Sequence, residues 1–260
     1  MPTSFISPAI PRTALVTGAG QRLGRAMALD LALSGFAVAV HCRASLAEAE
    51  ATAQAVRAHG VAAVVLEADL AQEADTSSLL ERATAALGPV GVLINNASVF
   101  ERDEWHNATR ESWDAHLEPN LRAPFLLSQC FARLLPPGAE GVIVNLLDQR
   151  VWSLTPHFAS YTVSKAALWT LTRTLALALA PRIRVCGIGP GPALPSARQD
   201  AASFARQCRS TPLGRGTSPD EVARALRAIL ELPSMTGQMI ALDGGQHLQW
   251  SPSHGVMPDE

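Results

Sequence analysis

Glycines 18, 20 and 24 fall between a short apolar run, Thr13 to Thr17, and an Ala/Leu-rich segment of helical spacing, Gly24 to Leu33. A strand that passes through glycines straight into a helix leaves few options for the fold. Glycine adopts φ > 0 readily and lets other groups approach the main chain closely. The helix that follows presents free N–H groups and the positive end of its dipole at the same point, an arrangement that suits a pyrophosphate. A ligand-free turn would also use glycine there, but the strand before and the helix after favour nucleotide binding.

The alternation continues along the chain. Ala37 to His41, Val61 to Glu67, Val92 to Asn95, Val142 to Leu146, Ile183 to Ile188 and Gln238 to Leu242 read as further strands. Leu46 to Ala58, Thr76 to Leu87, Leu117 to Leu134, about Ser160 to Leu179 and Pro219 to Leu230 read as helices. Apolar strands separated by helices indicate a parallel sheet covered on both faces, with right-handed crossovers. The expected fold is α/β: a single-domain, Rossmann-type doubly wound parallel sheet of about seven strands with helices on both faces. No linker, repeat or shift in composition divides residues 1–260. Residues 1–11 carry three prolines and are expected to be flexible. The Pro/Gly-rich stretch Gly187 to Pro195 is not expected to be helix or central strand, and it leads into a segment around Ala197 to Gln207 that is a candidate substrate lid, spanning about residues 192–216. Residues 246–260 form a tail expected at a subunit interface.

Composition excludes several classes. Hydrophobic residues at 48% and charged ones at 17% support a large core, and a net charge of −2 argues against nucleic acid. Cys42, Cys130, Cys186 and Cys208 form no C-x-x-C pair and read as reduced thiols. The seven histidines lack metal-site spacing, so no metal is expected. The N-terminus has no signal-like apolar run, and the longest apolar stretch, Leu175 to Ala180, is too short to span a bilayer. The expectation is a cytoplasmic protein with no membrane partner.

Tyr161 and Lys165 supply the chemistry. Four residues apart on a helix, they share one face, and Tyr161 is the only tyrosine in the chain. A phenol ordinarily titrates near ~10, and an adjacent ammonium lowers that value, which makes the pair a candidate acid/base device.

The end of the second strand discriminates between nicotinamide cofactors. A carboxylate there would bind a ribose 2′-OH and repel a 2′-phosphate. This chain has His41-Cys42-Arg43 followed by Ser45, which favours NADPH, with His41, Arg43 and Ser45 expected at the cofactor and Arg43 as the phosphate ligand. Asp69, followed by Leu70, is placed either to contact an adenine amino group or to cap a helix. Arg22 stands within the glycine turn, where it can pair with phosphate or with a planar substrate group.

Together these pieces resemble the short-chain dehydrogenase/reductase family over almost the whole chain. The matching elements are Thr17-Gly18 to Gly24, Asp69, Asn95-Asn96-Ala97, Asn120, Tyr161 with Lys165, Pro190-Gly191 and Leu242-Asp243-Gly244-Gly245. The resemblance implies that Gly18, Gly20, Arg22, Leu23, Gly24, Asn96, Ala97, Ser98, Pro190 and Gly191 contact the cofactor. It implies that Asn120 completes a proton relay through water, that Tyr161 is the acid/base, and that Lys165 holds the nicotinamide ribose. It also implies a homotetramer.

One departure narrows the reading. The family usually carries a catalytic serine thirteen positions before the tyrosine, and here that position is Asp148. Ionised aspartate only accepts hydrogen bonds, so it suits a ring with N–H donors; protonated by burial, it would donate instead. With Arg22 and the run Ser98-Val99-Phe100, this set resembles the pteridine reductases and dihydromonapterin reductases of the same family. The resemblance implies substrate contacts from Arg22, Ser98, Phe100, Asp148 and Tyr161, with Phe100 stacking on the pterin ring. The other readings are a core aromatic for Phe100, and a helix cap or an ion pair with Arg150 for Asp148. Trp152 and His157 are candidates for the pocket or for loop packing, Trp105 and Trp113 for packing, and His247 and Trp250 for the tail.

The expected activity is therefore NADPH-dependent reduction of a pterin ring. Two alternatives stand beside it: a carbonyl reductase acting, for example, on 3-oxoacyl thioesters, and a non-catalytic NADPH-binding regulator. Asp148 speaks against the first, and the presence of Tyr161, Lys165 and Asn120 against the second.

Overall fold

The structure, a computed structural model, describes residues 5–196 and 198–249; Ala197 and Trp250 lie outside them. In chain order the elements are β1 (Thr13–Val16), α1 (Arg22–Leu33), β2 (Ala37–Cys42), α2 (Leu46–Arg57), β3 (Ala63–Glu67), α3 (Glu73–Leu87), β4 (Val92–Asn95) and α4 (Arg110–Leu117). There follow α5 (Ala123–Leu134), β5 (Gly141–Leu146), α6 (Ala159–Ala178), β6 (Ile183–Pro190), α7 (Ala201–Arg209), α8 (Pro219–Glu231) and β7 (Met239–Leu242).

The seven strands form one parallel sheet in the order β3-β2-β1-β4-β5-β6-β7. Alternate side chains of a strand point to opposite faces, and the strand sequences exploit this. Val16, Val38, Val40, Ile94 and Val144 pack with Met27 and Leu31 of α1, Val56 of α2 and Leu226 of α8. Leu15, Ala39, Leu93, Ile143 and Val185 pack with Leu79 and Leu80 of α3, Leu127 and Phe131 of α5 and Leu175 of α6. Each of these buried Val, Leu, Ile, Met or Phe side chains contributes about 1.5–3 kcal/mol. Chain order reverses between β1 and β4, where diverging connections open a crevice at the carboxyl ends of the strands.

Besides β6, which runs on through Gly187 to Pro190 and pairs there with β7 where no central strand was expected, the structure departs from the sequence reading in two places that bear on the site. The single helix expected over Leu117 to Leu134 is instead α4, a π-helical turn at Glu118–Arg122, and α5. Thr109 and Ser112 form a reciprocal capping box that starts α4 earlier than expected. Pro119 has no N–H to give the α-helical ladder, and the widened turn carries Asn120 into the interior. The second departure is in the segment expected to be flexible: Ile6 and Ile10 are buried in the core with α1, and the Arg12 guanidinium holds the Ile6 carbonyl. Apolar side chains there outweigh the loop signal of the prolines.

Candidate active site

At the crevice the ends of β1 and β4 are tied together. Thr17 Oγ1 accepts the N–H groups of Asn96 and Ala97 at 2.9 and 3.0 Å, and Asn96 Nδ2 donates to the carbonyls of Thr17 and Gly18. Gly18 has φ +62, and a Cβ on Gly24 would stand 2.3 Å from the Gly18 carbonyl oxygen, so the turn admits no side chain there. Gly20 faces Ser45 at the start of α2. Arg43 is exposed beside them and has no ion-pair partner among the described residues.

His41 corrects one expectation. Its side chain turns inward, 2% exposed, where Nδ1 accepts the Gly18 N–H at 3.0 Å and Nε2 donates to the Ala68 carbonyl at 3.1 Å. Burial lowers its pKa to about 4, against the opposing bond to Ala68, and the ring stays neutral. Both nitrogens are occupied, so His41 holds the glycine turn rather than contacting a cofactor. Leu70 is buried in the core, which leaves only its backbone for a ligand. Asp69 accepts the Ala71 N–H in its own turn and does not cap α3, which begins at Glu73.

Next to this turn lies a cavity of about 270 Å³. Of the expected residues, Arg22, Leu23, Asn96, Ser98, Phe100, Asp148, Tyr161, Lys165, Pro190 and Gly191 line it. Gly18, Gly20, Gly24, Arg43, Ser45, Asp69 and Ala97 lie outside its wall, along with His41 and Leu70.

Tyr161 and Lys165 stand one turn apart on α6, and the Tyr161 hydroxyl donates to Asp148 Oδ2 at 2.9 Å. Asp148 Oδ1 accepts the Arg150 N–H at 2.8 Å and caps the short 3-10 turn Gln149–Val151, so the expected cap and the expected tyrosine partner are both present. Lys165 is buried, with Nζ donating to the Leu146 carbonyl at 2.8 Å and lying 5.9 Å from the Tyr161 ring centre. Burial lowers its pKa to about 8, with the nearby Asp148 charge acting in the opposite direction. A protonated amine there has two further N–H groups to offer.

Phe100 meets Tyr161 edge-on at 4.6 Å and stacks on Phe158 at 4.5 Å. Phe158 precedes α6 with φ 58, a left-handed conformation rare outside glycine. Arg22, also at positive φ, donates to the carbonyls of Leu194 and Pro195, and Arg198 donates to the Phe100 carbonyl and to Glu101. These bonds tie Leu194, Pro195 and Arg198 to the glycine turn and to the Phe100 loop. No residue of α7 is buried.

Asn120 is fully buried and does not line the cavity. Its side chain pairs with both backbone groups of Val99 and with Ser164 Oγ, so it positions the loop that carries Ser98 and Phe100. Sequence reasoning missed Asp103. This carboxylate accepts the Ser160 N–H at 3.1 Å and the Ser160 hydroxyl at 2.5 Å, anchoring the first turn of α6 beside Tyr161. Burial would raise its pKa, but hydrogen bonds from Ser160 and Ser112 hold it below the usual value. Its signal, a carboxylate near a helix N-terminus, exists only once the loop meets α6 in space. Gln149, Gln199, Gln207 and Gln246 also line the cavity and were not singled out. Trp152, Trp105 and Trp113 are 43%, 86% and 37% exposed and none lines the cavity, while His157 pairs with Glu104 and His247 with Asp243.

Among the described residues no helix is long and apolar enough to cross a membrane, and no cluster of His, Cys, Asp or Glu could hold a metal ion.

Comparison with known proteins adds the following. The family model for short chain dehydrogenases matches residues 12–205. A solved structure of FolM alternative dihydrofolate reductase 1 from Brucella canis, complexed with NADP, is 46% identical with a TM-score of 0.91, covering 96% of this chain and 100% of that one. The corresponding Brucella suis protein, also with NADP, is 47% identical with a TM-score of 0.90, covering 95% and 99%. A 3-oxoacyl-[acyl-carrier-protein] reductase of Staphylococcus epidermidis is 30% identical, covering 91% of this chain and 99% of that protein.

Proposed function

This chain belongs to the short-chain dehydrogenase family, and on that premise we propose that it is an NADPH-dependent reductase of dihydropterins, yielding tetrahydropterins. The observation that carries the reading is the Tyr161–Asp148 hydrogen bond at the cavity wall. An ionised carboxylate beside the proton donor repels a bare carbonyl oxygen and welcomes ring N–H groups. The similarity to two NADP-bound proteins described as alternative dihydrofolate reductases supports the same reading.

The residues fit the cofactor. The glycine turn, which a Cβ would fill, and the N-terminus of α1 suit a pyrophosphate, and Arg43 with Ser45 suits a 2′-phosphate. Bound there, NADPH supplies a hydride. Tyr161 delivers a proton to a ring nitrogen. Asp148 holds the phenol in place before transfer, and the Lys165 ammonium stabilises the phenolate left behind. Ser98, Arg22 and Phe100 line the same wall, where the aromatic ring and the cation suit a flat polar heterocycle. A homotetramer belongs to this reading, and light scattering tests it.

The deciding experiment is NADPH and NADH oxidation with quinonoid, 7,8-dihydro and fully oxidised pterins, dihydrofolate, simple ketones and a 3-oxoacyl thioester. Turnover of dihydropterins with NADPH is expected. Turnover of the thioester with none of the pterins would replace the pterin reading by a carbonyl reductase.

A further inference from the structure

His116, on α4 and buried, touches the residue after Phe100 and the residue before Tyr161. Its Nε2 accepts the Glu101 N–H at 3.0 Å. An imidazole nitrogen that accepts carries no hydrogen, so the ring proton sits on Nδ1. Nδ1 lies 2.7 Å from Ser160 Oγ and 2.9 Å from the Ser112 carbonyl, and donates between them. The Ser160 hydroxyl in turn donates to Asp103 at 2.5 Å. The hydrogens of this buried chain all point one way, from His116 through Ser160 to the carboxylate.

The peptide unit joining Phe100 to Glu101 is held at both ends: His116 accepts its N–H, and Arg198 donates to its C=O at 3.0 Å. Asn120, four residues after His116, holds both backbone groups of Val99. The spacing repeats on α6, where His116 meets Ser160 and Asn120 meets Ser164. Two rungs thus cross from the Phe100 loop to α6. Phe100 lies between the two loop residues they hold, and Tyr161 between the two serines. We propose that His116 is a positioning residue that sets Phe100 against Tyr161, whose rings meet edge-on at 4.6 Å. Through Nε2 it fixes the backbone that aims the Phe100 ring, and through Nδ1 the first turn of α6 that aims the phenol. The inference rests on the reading above, in which Phe100 stacks on the pterin and Tyr161 delivers the proton, and adds the residue that relates the two.

The two nitrogens can be tested apart, because an asparagine amide reaches as far as Nδ1 and a glutamine amide as far as Nε2. His116→Asn keeps a donor for Ser160 and loses the acceptor for Glu101. KM for a 7,8-dihydropterin is expected to rise about 5–10-fold with kcat within about twofold, the worth of one hydrogen bond at the stacking ring. His116→Gln keeps the acceptor and loses the donor, and kcat is expected to fall about 5–10-fold with KM within about twofold. NADPH affinity is expected to be unchanged in both. If neither variant folds, Ser160→Ala removes the Nδ1 arm alone, since Nδ1 keeps the Ser112 carbonyl and Asp103 keeps the Ser160 N–H and the Ser112 hydroxyl. The same fall in kcat is expected. Lost stability with unchanged kinetics, or the same change in kcat and KM for both variants, overturns the role of His116 and leaves pterin reduction standing. Wild-type enzyme inactive with every pterin overturns the pterin reading, and this inference with it.

Discussion

Tyr161, in the first turn of α6, donates its phenolic hydrogen to Asp148, beyond the end of β5, at 2.9 Å. The bond joins the phenol to a carboxyl group where the family usually has a serine hydroxyl. It orients the phenol on the cavity wall that Lys165 shares.

Tyr161→Phe removes the hydroxyl and leaves the ring edge that meets Phe100. Turnover is expected to fall by ~10²-fold or more, the range for loss of a general acid. Steady-state NADPH oxidation with a dihydropterin measures it. Wild-type turnover by the variant would take the tyrosine out of the mechanism.

Asp148→Ser restores the residue usual in the family. Dihydropterin kcat/KM is expected to fall at least about tenfold, the worth of a hydrogen bond to a charged group, with NADPH affinity nearly intact. The cap to Arg150 survives in weaker form, so the stability cost is expected to stay near ~1 kcal/mol. Indifference of dihydropterin kinetics to the change would remove the basis for the pterin assignment.

The Lys165 ammonium sets an alkaline limit. Burial brings its pKa down to about 8, so the protonated form is lost as pH rises through that value. The kcat/KM profile is expected to fall on the alkaline side of about pH 8, and Lys165→Met to lack that limb. A profile flat to pH 10 would show that the charge of Lys165 is not needed.

His41 predicts how stability depends on pH. The folded protein binds this proton only near pH 4, whereas the unfolded chain binds it below 6.5. Between those values the unfolded state carries more protons, so stability is fully present above 6.5 and declines as pH falls toward 4. The loss amounts to about 3 kcal/mol, from 1.36 kcal/mol per pH unit. His41→Gln is expected to be less stable at pH 7.5 and to show a shallower decline in urea unfolding between pH 6.5 and 4. Equal slopes for the two proteins would remove His41 as the cause.

Much of the site was legible before any coordinates. Tyr161 and Lys165 share a helix face through their spacing alone, and Gly18 and Gly24 announce a turn that admits no side chain. Phe100, Ser98 and Asp148, expected as substrate contacts, line one cavity. His41 was misread because a strand-end residue points to the ligand or to the interior according to one step of register. Asn120 was expected in a relay through water; what the sequence did not show is that the π-helical turn gives its amide to the Val99 backbone.

On its own, the sequence determined the sheet, the glycine turn and the shared helix face of Tyr161 and Lys165, because each is written in residues close along the chain. Apolar alternation selects strand faces, and four-residue spacing selects a helix face. Only the tertiary structure decided that Asp103 anchors α6, that Phe158 stacks on Phe100, and that Asn120 pairs with the Val99 backbone. Those contacts join segments whose meeting depends on how helices and sheet pack, and no local pattern of residues carries that information.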